Sequence, residues 1–168
     1  LRLPEDDKDW MNDRVAILQA LGVLDDKGTP TARLDLVKAG RVARLTKEEF
    51  QKERDKMIAV CSQCHGKSYA IQQLEAGDGV IKEIDKIMAE AIREVQGLYK
   101  DGVLKKPDTW TIAPDLLQFY EAKSTIEQDL YVMFLEYRMR AFQGAFHMNP
   151  DYMHWYGWAP MKETLQKI

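Results

Sequence analysis

The run Cys61-Ser62-Gln63-Cys64-His65 sets two thiols three positions apart and places an imidazole beside the second. That order suits covalent attachment of c-type haem. Each thiol can add across one vinyl group of a porphyrin edge, and His65 can turn under the ring as the proximal iron ligand. Other readings use fewer of these residues. A structural zinc site needs four N or S ligands, and only His147 and His154 remain as good donors, far along the chain and wrongly spaced. A redox dithiol wants a βαβ setting and gains nothing from His65. Two buried structural cysteines leave the histidine unexplained. Haem c is therefore the expected cofactor, held by Cys61, Cys64 and His65.

A second stretch, His147-Met148-Asn149-Pro150-Asp151-Tyr152-Met153-His154-Trp155-Tyr156-Gly157-Trp158, gathers two histidines and four aromatics around a proline. An aromatic cluster packed at a helix end explains this density as well as a site does. A haem that relays electrons needs two strong axial ligands, so His147 and His154 are candidates for the sixth position. A histidine from another part of a longer chain is a further candidate, and methionine competes with all three. Arg138 and Arg140 nearby suit either a solvated helix face or pairing with haem propionates.

These groups need a scaffold. The chain has 168 residues, 45% hydrophobic and 30% charged, enough for a core of its own. Its net charge of −3 with interspersed signs gives no basic field for nucleic acid. No apolar run reaches the ~20 residues of a membrane span, and no secretory leader is visible. Because haem c is attached outside the cytoplasm, a periplasmic or other extracytoplasmic location is expected, with any export signal upstream. Both cysteines sit in the one motif, so packing and haem must stabilise the fold.

Helical spacing runs from Trp10 to a stop at Gly22, followed by a loop at Asp25–Pro30. Leu34 to Leu45 reads as mostly loop. Thr46 with Glu49 forms a capping box that starts a helix delivering Cys61 to the haem turn, with Gly66 where that helix stops. A short helix from Tyr69 to Leu74 is expected to break at Gly77-Asp78-Gly79. A long helix then carries the stripe Val80, Ile84, Ile87, Ala91, Val95 and Leu98 to Asp101-Gly102. Lys105 to Pro114 is a loop, and Asp115 caps a short helix through Tyr120. Ser124 with Glu127 opens another long helix that runs to Phe146 and is broken by Asn149-Pro150. The fold class expected is all-α, a bundle of long helices carrying one covalent haem c. Residues 1–45 form a lead-in with a short helix, and 46–168 form the haem-binding bundle with its aromatic tail.

The run from Glu136 to Gly157, downstream of Met57-Ile58-Ala59-Val60-Cys61-x-x-Cys64-His65, resembles the C-terminal part of the octahaem hydroxylamine oxidoreductases over roughly Leu45 to Met161. That resemblance implies a secreted homotrimer with eight c-type haems per subunit, oxidising hydroxylamine, or hydrazine in the anaerobic ammonium-oxidising branch, where the compartment is the anammoxosome. It implies electron relay through most of the haems to a small cytochrome acceptor. The catalytic haem is crosslinked to a tyrosine from the neighbouring subunit. Here that residue would be Tyr152, which the Asn149-Pro150 break can turn outward, with Tyr156 as its rival. His154 could orient the ring. This chain has one haem motif where the family has eight, so it corresponds to a C-terminal segment or a single-haem relative; the segment alone is not expected to turn over substrate. The alternatives are a stand-alone monohaem electron-transfer cytochrome and a purely structural bundle.

Overall fold

A computed structural model of the chain describes residues 3–39 and 46–168. Among the described residues six helices follow one another: α1 (Lys8–Ala20), α2 (Ala32–Ala39), α3 (Lys47–Cys61), α4 (Lys67–Lys100), α5 (125–146) and α6 (150–167). A 3-10 turn, Phe119–Glu121, lies before α5. The only β pairing among the described residues is an isolated bridge between Leu24 and Pro30. The all-α expectation holds. No helix among the described residues is long and apolar enough to cross a membrane.

The backbone of the fold is α4, 34 residues long. One face of it carries Ile81, Ile84, Ile87, Met88, Ile92 and Val95, all essentially buried. Against that face pack Ile17 and Ala20 of α1, Leu130, Met133, Ala141 and Phe142 of α5, and Met161 of α6. Residues on both sides of position 45 thus share one core. Helices α1 and α4 both end in a Schellman turn, with Gly22 (φ +66°) and Gly102 (φ +74°) in the left-handed conformation that glycine adopts without a Cβ penalty. The end of α5 uses the same turn, but Met148 takes the left-handed position at φ +52°.

Several expectations change. The Gly77-Asp78-Gly79 run does not interrupt α4. Each glycine costs about 1 kcal/mol against alanine, but the packed face continues through Ala70 and Leu74 on one side and Ile81 on the other. Gly66 is the N-cap of α4, not the stop of α3, which is capped by Ser62. Ala32–Ala39 is helical, against the loop expected from Leu34 onward; the rest of that stretch, 40–45, lies outside the described residues. Asp115 does not open a helix to Tyr120. It is buried and committed instead to Arg33, which donates to both its oxygens at 2.9 and 2.7 Å.

Asp115 also accepts from the Leu117 amide and from Gln118. Burial favours its neutral acid, but the Arg33 bond and these donors outweigh that and hold its pKa below the usual value. Glu127 behaves alike: burial raises it, while the Tyr99 hydroxyl and the Ser124 donors outweigh that and hold it below its usual value. With both pKa values depressed in the fold, unfolded chains take up protons first as pH falls. The stabilisation is therefore complete above the ordinary carboxyl range, about pH 4, and declines as pH drops through the lower folded values. Helical circular dichroism should collapse cooperatively in that acid window. The Asp115→Asn, Glu127→Gln double variant should lose less stability over the same interval, and an equal loss would contradict the assignment.

Helices α5 and α6 lie antiparallel at very close range. A Cβ placed on Gly144 would fall 2.6 Å from the Met153 backbone, and one on Gly157 would fall 2.5 Å from the Ala141 nitrogen. Each helix also contains a π turn, Met133–Tyr137 in α5 and His154–Trp158 in α6. A π turn adds one residue to the winding and is frequent at functional sites.

Candidate haem site

The capping box predicted at Thr46 and Glu49 is formed, and it starts α3 so that Cys61 is the last helical residue. Beyond it the Cys64 and His65 amides both donate to the Cys61 carbonyl, at 3.2 and 3.0 Å. One tight turn therefore carries both thiols and the imidazole. Extended Gly66 then launches α4, and the Ala70 amide closes its first turn on the Gly66 carbonyl at 3.1 Å. Arg54 ties α3 to α4 through a bidentate pair with Asp78 at 2.8 and 2.7 Å. Beside that pair a cleft of 470 Å³ opens, lined in part by Phe50, Ile58, Ile71 and Leu74.

Cys61 is half-buried, Cys64 and His65 are exposed, and neither thiol is in a disulfide. Around them lie uncovered apolar side chains: Met57, Val60 at 66% exposure, and Tyr69 at 50%. Met57, Val60 and Cys61 fall on one stripe of α3 by their spacing of three and four. Free thiols, an accessible imidazole and an apolar collar suit a porphyrin joined at one edge, so the residues fit haem c. Cys61 and Cys64 would hold it by thioethers and His65 would ligate its iron; the bound haem would supply one-electron exchange.

The other candidate ligands are elsewhere. His147 caps the end of α5 and is exposed. His154 lies in the α6 π turn, stacked on Trp158 with centroids 5.3 Å apart and meeting Trp155 edge-on at 4.9 Å. No group of three or more His, Cys, Asp or Glu side chains among the described residues is arranged to hold a metal ion. Asn149 breaks the chain only to restart it: its side chain accepts from the Tyr152 amide and caps α6, with Pro150 in the first turn. Tyr152 is therefore helical and half-buried. Its ring lies 5.3 Å from that of Tyr156, which is 55% exposed and so the more accessible of the two.

Arg140 pairs with Glu136 on the surface at 2.8 Å. Arg138 is neither solvated nor free for a propionate. It is buried against Asp85, whose Oδ1 accepts its Nη2 at 2.7 Å, while Oδ2 accepts from Arg14 and from the Trp10 indole at 2.8 Å. Burial lowers the pKa of Arg138; Asp85 opposes that and Arg14 adds to it. The signal in the sequence was Asp85 itself, a charge set in the apolar stripe of Ile81, Ile84, Met88 and Ile92.

The family model described as "Seven times multi-haem cytochrome CxxCH" matches residues 35–111, a little under half of the chain. The matched span takes in the whole motif turn and all of α4. No curated protein and no solved structure matches the chain. The match supports a multihaem c-type cytochrome and, with it, an electron-transfer haem protein. Its cofactor is covalent haem c.

Proposed function

We propose that this chain is the C-terminal segment of a multihaem oxidoreductase resembling the octahaem hydroxylamine oxidoreductases, acting on hydroxylamine or hydrazine. It carries one relay haem at Cys61, Cys64 and His65, and a tyrosine that bonds to a catalytic haem of a neighbouring subunit. The observation that carries this reading is the outward aromatic face of α6, where Tyr152, Trp155 and Tyr156 stand at the surface or close to it, with Trp155 66% exposed. Large aromatics left uncovered are characteristic of interfaces. The apolar collar of the motif supports the same reading, because the remainder of a longer chain would cover it. A homotrimer, an extracytoplasmic location and a small cytochrome acceptor follow from the reading, with the sixth iron ligand coming from His147, His154 or another segment.

Tyr152 is the proposed crosslinking residue and Tyr156 its alternate. In the parent assembly Tyr152→Phe should abolish the covalent link, read as loss of the subunit-crosslinked band under denaturing conditions, while Tyr156→Phe should keep it. The reverse result transfers the role to Tyr156, and loss in neither variant rules out both. A stand-alone monohaem electron-transfer cytochrome is the competing function. One haem per chain in a monomer, with no upstream motifs in the full-length gene, would establish it.

A further inference from the structure

We infer that Tyr69 is the positioning residue for the His65 imidazole, holding the angle at which that ring meets the haem and thereby influencing the reduction potential of the iron. The inference rests on the reading that His65 ligates the iron. It starts from the turn itself. His65 precedes the N-cap of α4, and Tyr69, four residues on, stands in the first turn of that helix. The two rings pack with centroids 5.3 Å apart and planes inclined at 34°. An iron-bound histidine is ordinarily oriented by a hydrogen bond from its second ring nitrogen to a carbonyl or carboxylate. Among the described residues, the His65 imidazole makes no such bond, and its side-chain partner is the Tyr69 ring. The support is firm, because the neighbouring Ala70 is buried and fixes the first turn of α4 against the fold. Half of Tyr69 remains exposed, so its ring contributes little to the core.

An axial imidazole can rotate about its bond to iron, and its orientation splits the iron orbitals and alters the balance between ferric and ferrous states. A ring packed on one side restricts that rotation. Tyr69 is thus separable from the covalent attachment, which needs only the thiols.

The test uses the haem-loaded chain in its ferric cyanide form, so that every variant has the same sixth ligand. The paramagnetic proton shifts of the haem ring methyls spread according to the orientation of the proximal imidazole. Tyr69→Phe, which keeps the ring, should retain both the spread and the midpoint potential. Tyr69→Leu should contract the spread and shift the potential with no loss of helical signal. If the Leu variant keeps the parent values, or if the Phe variant matches the Leu variant, the ring is not the positioning element. A Leu variant that loses helix overturns the inference as well, since the ring would then be structural. His65→Ala separates the underlying reading: it should remove the imidazole-ligated spectrum, and an unchanged spectrum would show that His65 is not the ligand, whatever Tyr69 does.

Discussion

Serine at both Cys61 and Cys64 should leave haem that acidified acetone extracts completely, whereas the parent chain should retain all of it. Each thioether forms when the thiol S–H adds across a vinyl double bond, with sulfur going to one carbon and hydrogen to the other. A hydroxyl does not undergo this addition under the same conditions. Cys64→Ser alone should keep a single link and shift the pyridine haemochrome band toward that of a haem with one free vinyl group. The folding consequence should be slight by comparison. Cys64 is exposed and Cys61 only half-buried, and neither closes a disulfide. Surface changes of that kind stay within about 0.5 kcal/mol. Haem that remained attached in the double variant would contradict the assignment.

Asp85→Ala should be the most damaging single substitution to the fold. It leaves Arg14 and Arg138, both under a tenth exposed, facing each other without the carboxylate that separates their charges. Removing one partner of a buried ion pair costs about 3–5 kcal/mol, and for a domain of this size each kcal/mol lowers Tm by about 2–4 °C. A fall of roughly 10 °C is therefore expected in thermal circular dichroism. Changing Arg14 and Arg138 to methionine in the same background should recover most of that loss, because apolar side chains of similar length need no counter-charge. A drop of less than about 1 kcal/mol in Asp85→Ala would show that water already reaches the cluster and screens it. The stacking of Arg138 over Phe142, 4.3 Å from the ring centroid, remains in the Asp85 variant. Buried stacking of this kind supplies about 2 kcal/mol, less than the loss of the carboxylate costs.

What could be read in the sequence divides by distance along the chain. Both capping boxes, Thr46 with Glu49 and Ser124 with Glu127, are formed as predicted, because each is complete within four residues. The stops at Gly22 and Gly102 are equally local. The haem turn was legible for the same reason: thiols and imidazole are contiguous, and the cap fixes where α3 delivers them. The readings that failed depended on partners far away. A solvated face and a propionate partner were the two readings of Arg138, and both fail because Asp85, 53 residues earlier, holds it. Asp115 looked like a helix cap, but Arg33, 82 residues earlier, claims its carboxylate. Gly77 and Gly79 carry a real propensity for breaking a helix, which the packed face of α4 overrides. The contact between Tyr69 and His65 was within reach of sequence reasoning, since an aromatic four residues beyond a ligand histidine can meet it.

The π turn at His154–Trp158 has a consequence for how the aromatic tail is aimed. Met161 and Thr164 seat the later part of α6 in the interior, whereas the Tyr152 end is seated by the Asn149 cap and the Gly144 contact. The extra residue between them works as a slipped tooth in a ratchet, offsetting one half of the rod by roughly 100° from uniform winding. Shortening the turn by one residue would let the rod wind evenly, and only one of its two seats could then be satisfied. The compass bearing of the Tyr152 and Tyr156 rings is thus set by the length of a five-residue turn, independently of what those rings touch.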